Sequence, residues 1–530
     1  MRHLVALALA IGCISPALAQ KRAVPVPVAE VSIDQLQTRM AKGQASSVSV
    51  TRAYLARIQA MNHAGPALHA VIMVSPRALA EARESDARRR AGKLIGPLDG
   101  VPVLIKDNIE TRDMPTTAGS LALAGNDTKR DAPVVARLRA AGAVILGKTN
   151  LSEWANIRSN NSMSGWSAVG GLVRNPYALD RTSCGSSSGS GAAVAASLAA
   201  VAVGTETDGS VVCPSSMNGL VGLKPTLGAV SRTWVVPISH SQDTPGPMGR
   251  SVRDVAILFS AMTGTDPADV ATREADAHRK DFAAALSAGT LKGMRIGYVR
   301  PERMSDDLGK TFDAALAQLR ASGATLVEVK RPKLEGMGDA EFTVLQVELK
   351  ADLNAYLATT PPSVKTRTLD EVIAFDKAHA AQEMPFFGQE IFETAAKTRG
   401  LDDPDYKAAR AKSLRLASVE GLDAMLKAGG VDVLVTPTYG MPWLSDPVYG
   451  DQFSGPSASE LPAISGYPHL TVPMGLVRGL PVGLSFIGRP WSEGLLFNAG
   501  YAYEQAAQAR VVPTYPLSVK ADLGPQTISK

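Results

Sequence analysis

Three short segments carry residue types that together can do nucleophilic chemistry. Ser210 lies in GTETDGSVVCP (Gly204–Pro214), Cys184–Gly191 is a Gly/Ser loop (CGSSSGSG), and Lys106 follows the apolar run Val101–Ile105. They offer an attacking hydroxyl, a second hydroxyl to relay its proton, and an amine base. That equipment can break an amide bond without histidine or metal. A serine hydroxyl is a poor nucleophile until a neighbour takes its proton, and a lysine can take it only when neutral. At the ordinary pKa of about 10.4, on the order of one lysine in a thousand or fewer is neutral at pH 7. Burial behind Val101–Ile105 would lower that value. Asp107 would oppose the shift if it faced inward, so it is expected to point elsewhere.

Two other motifs match known patterns in letters but not in context. Gly142–Thr149 (GAVILGKT) fits the P-loop spacing, yet a P-loop needs a flexible loop between strand and helix. Its inner residues Ala-Val-Ile-Leu favour the strand itself, so nucleotide binding is not expected. Gly185–Gly189 (GSSSG) fits the nucleophile elbow, which requires a strand directly before it and a partner histidine downstream. The approach Asp180–Cys184 is polar, and His240, His278, His379 and His469 lack a recognisable catalytic context.

The elements that must position the three segments alternate between strand-like and helix-like patterns. Helices are expected from Ser32 onward, over Val50–Ala60, Ala78–Ala91, Ala132–Ala141, Ala192–Ala200 and Phe312–Ala321. Strands are expected at Val101–Ile105, Ala143–Leu146, Met294–Val299, Thr325–Val329, Val431–Val435, Leu470–Val472 and Pro481–Ile487. The alternation predicts a single large α/β/α layered domain with a mixed, mostly buried central sheet. The more charged stretch from Asp266 to Gly430 reads as an elaboration of that domain that shapes its pocket.

Composition sets outer limits. The 530 residues carry 55 Lys+Arg against 50 Asp+Glu, a formal net charge of +5. With no basic run interleaved with aromatics, nucleic acid is not an expected partner. Residues 1–19 follow the grammar of a signal peptide: Arg2 and His3, an apolar stretch from Leu4 to Ile14, then Ala17-Leu18-Ala19. That stretch is too short to span a bilayer. The expectation is a periplasmic or secreted domain over residues 20–530, with no stable membrane partner. Cys184 and Cys213 remain after leader removal. They are expected as buried free thiols, although an oxidising compartment would allow them to pair. Neither has a spacing that suggests metal, and no cofactor is expected.

The order of these motifs resembles the amidase signature family. The resemblance runs through Asn175–Ser197, Gly96–Ser120, Leu146–Asn160, Asn218–Arg232, Ser241–Asp254, Ser465–Gly475 and Gly479–Pro490. It implies a Ser–cis-Ser–Lys triad with Ser210 as nucleophile, Ser186 as relay and Lys106 as base. The backbone amides of Thr207, Asp208, Gly209 and Ser210 would form the oxyanion hole. Asp208, Val212 and Ser188 stand where many members carry Gly, Arg and Gly. The run around Ser210, together with Val236–Met248, is most similar to the bacterial peptide amidase branch. The implied substrate is the C-terminal carboxamide of a peptide, released as ammonia. Alternatives are other aliphatic or aryl amides, a glutaminase subunit of an amidotransferase, and a silent binding protein on the same scaffold.

Overall fold

The computed structural model describes residues 26–520; the expected leader, residues 1–19, lies outside them. The strands in chain order are β1 (Val71–Val74), β2 (Pro102–Lys106), β3 (Val144–Thr149), β4 (Trp166–Ser167), β5 (Gly171–Leu172), β6 (Val201–Glu206) and β7 (Val221–Lys224). They continue with β8 (Thr244–Gly249), β9 (Arg295–Tyr298), β10 (Thr325–Glu328), β11 (Val433–Pro437), β12 (His469–Val477) and β13 (Leu480–Gly488). β4 and β5 form a small ribbon. The other eleven form one mixed sheet in the order β1-β3-β2-β6-β8-β7-β12-β13-β11-β9-β10. Every residue of β2, β3, β6, β7, β8, β11 and β13 is buried. Both faces of the sheet centre are therefore covered, as α/β/α layering requires.

Two groups of parallel strands, β3-β2-β6 and β11-β9-β10, are separated by antiparallel neighbours. Parallel strands end at one edge, and ligand sites of open α/β sheets lie outside such carboxyl ends. Ile105 of β2 pairs with Val203 of β6, so Lys106 emerges beside the end of the strand that leads to Ser210.

Most expected elements appear within a few residues of their sequence positions. The helix Ile33–Ala41 starts behind Ser32, which forms a capping box with Gln35. The helix over Ala192–Ala200 is displaced: it spans Ser188–Ala195. The second half of the Gly/Ser loop is helical because small residues let it approach the sheet. A Cβ at Gly189 would sit 2.3 Å from the Ala70 carbonyl oxygen. Ser197, with φ 54°, lies beyond its end.

β8 carries Pro245 and Pro247 and gave no strand signal. It tolerates them because β7 pairs only with its Met248 and Gly249, leaving the proline half one-sided toward β6. Among the described residues, no helix is long and apolar enough to cross a membrane.

Candidate active site

Lys106 is fully buried at the end of β2. Its Nζ lies 2.7 Å from Ser186 Oγ, 2.8 Å from Thr205 Oγ1 and 3.3 Å from the Thr205 carbonyl. Burial pushes the Lys106 ammonium down to about 7, against the opposing pull of the Asp243 and Glu206 carboxylates. Asp107 does point elsewhere: its carboxylate pairs with Lys148 at 2.9 Å and accepts from Thr117. Thr205, which the sequence reading passed over, holds the centre together. Its Oγ1 also accepts from Asn108 at 2.9 Å, and its carbonyl accepts from Ser187 Oγ at 3.0 Å.

Ser186 is fully buried, and the Gly185–Ser186 peptide bond is cis, as the resemblance implied. The loop meets the Ser210 segment through its backbone, where Ser187 N–H donates to the Ser210 carbonyl at 3.2 Å. Ser210 itself sits in the turn between β6 and the helix Val212–Met217. Glu206 fixes that turn by accepting from the amides of Val211 and Val212 at 2.7 and 2.9 Å. Gly209 has φ 79°, and a Cβ there would lie 2.1 Å from Tyr439 Oη. Only glycine fits both conditions.

Thr207 Oγ1 donates to Asp243 at 2.6 Å, and Asp243 also accepts from the Ile238 and Ser239 amides. Burial pushes Asp243 up to about 6 in spite of these donors. Gln242 Nε2 reaches the Thr207 carbonyl at 3.3 Å and Glu341 Oε1 at 2.9 Å. Burial raises both Asp208 and Glu341; the Glu206 and Glu460 carboxylates add to the rise of Asp208, and the Asp208 and Glu460 carboxylates to that of Glu341. The helix Met337–Leu357, within the charged elaboration, thus reaches the Thr207–Ser210 turn.

Ser210 lines a cavity of about 360 Å³. Lys106 and Ser186 stand behind it, and their side chains do not form its wall. Asp208, Leu345, Tyr439, Trp443, Asp451 and Phe453 also line it. Asp208 belongs to the Ser210 motif, whereas Leu345, Tyr439, Trp443, Asp451 and Phe453 have no motif of their own and were invisible in the sequence. Trp443 Nε1 donates to Asp451 at 2.9 Å, and Ser164 donates to the same carboxylate from both its amide and its hydroxyl. Three larger hollows, of about 780, 830 and 470 Å³, contain neither serine.

The expectation of free thiols is corrected: Cys184 and Cys213 form a disulfide with Cα atoms 6.0 Å apart. Sequence separation gave no sign that the loop and the short helix after Ser210 lie side by side, and that proximity permits the bond. Both cysteines are in the cavity wall, so the disulfide ties the Ser186 segment to the Ser210 segment.

The two decoy motifs have structural roles. Val144–Thr149 is a buried strand, and its Lys148 pairs with Asp107. Ser187, the central serine of GSSSG, is locked to Thr205 through its hydroxyl. Of the histidines, His469 is buried against Ser485 and His240 pairs with Asp352.

Residues 49–497 match the Amidase family model. The chain is 49% identical to a peptide amidase from Stenotrophomonas maltophilia, with TM-score 0.88 over 92% of this chain and 99% of that one. A structure of a peptide amidase with the competitive inhibitor chymostatin is also 49% identical, with TM-score 0.89 over 92% and 100% of the two chains. A probable amidase of Arabidopsis thaliana is 38% identical over 500 residues, 92% of each chain. The eleven-stranded fold and these matches converge: the chain belongs to the amidase signature family of hydrolases.

Proposed function

We propose that this protein hydrolyses the C-terminal carboxamide of peptides to the free acid and ammonia, using Ser210, Ser186 and Lys106. The observation that carries the reading is the fully buried 2.7 Å contact between Lys106 and Ser186, set behind a serine that lines the cavity. Neutral Lys106 has two N–H donors and one lone pair. The two Thr205 oxygens match the donors, and the Ser186 hydroxyl matches the lone pair.

In the acylation step, Ser210 Oγ attacks the carboxamide carbon while its proton passes to Ser186 and the Ser186 proton passes to Lys106. The carbonyl oxygen becomes an oxyanion facing the amides of Thr207, Asp208, Gly209 and Ser210. As the C–N bond breaks, the nitrogen takes a proton from Ser186, which Lys106 replenishes, and ammonia leaves. Water then attacks the acyl-enzyme by the same relay and restores Ser210. Removal of one oxyanion donor typically costs about 10²–10³ in rate.

The substrate class draws support from the two peptide amidase structures and from the cavity wall. Asp208 and Asp451 line that wall, while no Lys, Arg or His does so. A neutral carboxamide suits it better than the carboxylate it becomes. Export remains part of the proposal, supported by the leader-like residues 1–19 and by a disulfide of the kind that persists in oxidising compartments.

The test uses purified protein from Gln20 onward with an amidated peptide, following ammonia release and product mass, with Ser210→Ala as control. Conversion to the free acid with internal bonds intact supports the reading. Ammonia from simple amides alone moves the substrate to another amide class. No release and no serine labelling leaves a silent scaffold.

A further inference from the structure

The cavity at Ser210 is the first of three hollows strung along one segment of chain. Phe453 lines both this cavity and a second hollow of about 470 Å³, which also holds Arg303, Gly440, Met441 and Ser454. Arg303, Gly455 and Pro456 line both the second hollow and a third of about 830 Å³. Ser457 separates the third from the first and contributes to both. The three spaces therefore border residues 453–457 and share wall residues there.

That segment has main-chain groups to offer. Among the described residues, the backbone N–H and C=O groups of Phe453, Ser454 and Gly455 make no hydrogen bond, whereas Pro456 accepts from Gly440 and Ala458 donates to Thr438. Phe453 and Ser454 are exposed and Gly455 is half-buried, with the Ser454 carbonyl facing Gly440; the remaining open main-chain groups are what an extended peptide pairs with when it adds to a protein edge.

The third hollow lies at the carboxyl ends of β9, β10 and β11, where β11 and β10 flank β9 on opposite sides. Such a switch point leaves a crevice in a parallel sheet. Its floor includes Val329, Leu434 and Leu461. Its rim carries Arg303, Lys330 and Lys333, which pair with no carboxylate among the described residues, against Glu302 and Glu328. Arg300 and Arg331 are already paired with Asp313 and Glu460.

We propose that the residues upstream of a peptide's C-terminal carboxamide bind along this track, pairing with the main chain of Phe453–Gly455 and ending in the cation-rimmed cleft. The proposal rests on the peptide amidase reading and makes it narrower: the substrates are extended peptides, and acidic or apolar residues upstream of the amide are favoured. The Ser210 cavity accepts the amide end, the middle hollow takes the following main chain, and Arg303 stands at the junction with the cleft.

The experiment compares kcat/KM for a dipeptide amide with roughly hexameric amides whose upstream residues are acidic, neutral or basic. The neutral long peptide should exceed the dipeptide amide by about tenfold, the effect of one or two net hydrogen bonds. The acidic peptide should exceed the basic one by about fivefold at low salt, with the difference shrinking in high salt. Ser454→Trp, which fills the exposed middle hollow, should lower the long-to-short ratio. Arg303→Glu should reverse or erase the acidic-to-basic ratio. Each ratio is taken within one variant, so a general loss of fold or catalysis does not imitate the effect. Hydrolysis of dipeptide amides with no dependence on length or charge overturns this proposal while leaving the peptide amidase reading intact. Failure to cleave any peptide amide overturns both.

Discussion

Lys106 Nζ and Ser186 Oγ meet at 2.7 Å in a place closed to solvent, while Ser210 lies at the cavity wall. In the proposed roles the base is kept dry, which favours its neutral form, and the nucleophile is kept reachable. The polar contacts of Lys106 to Thr205 limit what its burial costs.

This arrangement predicts an acid limb in the pH profile. Because burial holds Lys106 at about 7, kcat/KM should rise about tenfold per pH unit below that value and level off above it. Lys106→Ala should lower activity by about 10²–10⁴ in a folded protein. A profile flat from pH 5 to 8, on the order of the whole range in which such a base titrates, would remove lysine as the base.

Stability should carry the same signature. Between about 7 and the ordinary 10.5, unfolded Lys106 binds a proton that the folded side chain does not. Stability therefore rises with pH across that window, opposite to the behaviour of an ion-paired lysine whose pKa is raised. Below about 7 both states are protonated and the cost of the buried charge is fully present. Denaturant melts of Lys106→Met should show a shallower slope with pH over this range, and an unchanged slope would contradict the assignment.

Asp243 opposes the neutrality of Lys106 through its charge. Asp243→Asn should move the acid limb to lower pH, even if the loss of contacts to Thr207, Ile238 and Ser239 also lowers kcat. The position of the limb, read from the pH–rate curve, separates the two effects. A limb displaced upward would refute the electrostatic account.

Ser210→Ala should abolish covalent labelling by an acylating probe, whereas Ser186→Ala should keep measurable turnover, since it removes a relay and not the attacking atom. Intact-mass spectrometry checks both. Labelling shared equally between Ser187 and Ser210 would count against the nucleophile.

Breaking the Cys184–Cys213 bond, which spans a sequence separation of 29, should cost about 3–4 kcal/mol of stability. It should also loosen the register between the Ser186 and Ser210 segments. Urea melts and amidase assays of Cys184→Ala/Cys213→Ala, compared with the oxidised protein, test this. Equal stability would mean that packing alone holds the two segments.

The local code of the chain was enough to identify the amidase family. Ser210, the Gly/Ser loop and Lys106 stood out because their types and order are unusual, and the strand–helix alternation pointed to a layered α/β domain. Gly142–Thr149 read correctly as a strand because its inner residues are too apolar for a phosphate loop. Contacts between distant segments were a different matter. Thr205, Asp243 and Glu341 are ordinary residues until β6, the following loop and the helix Met337–Leu357 come together. The disulfide likewise depended on two segments meeting in space, and β8 was masked by prolines that only its one-sided pairing allows. Side-chain type and spacing act over a few residues along the chain. Burial, charge coupling and cavity shape depend on long-range packing, and the fold alone decided those.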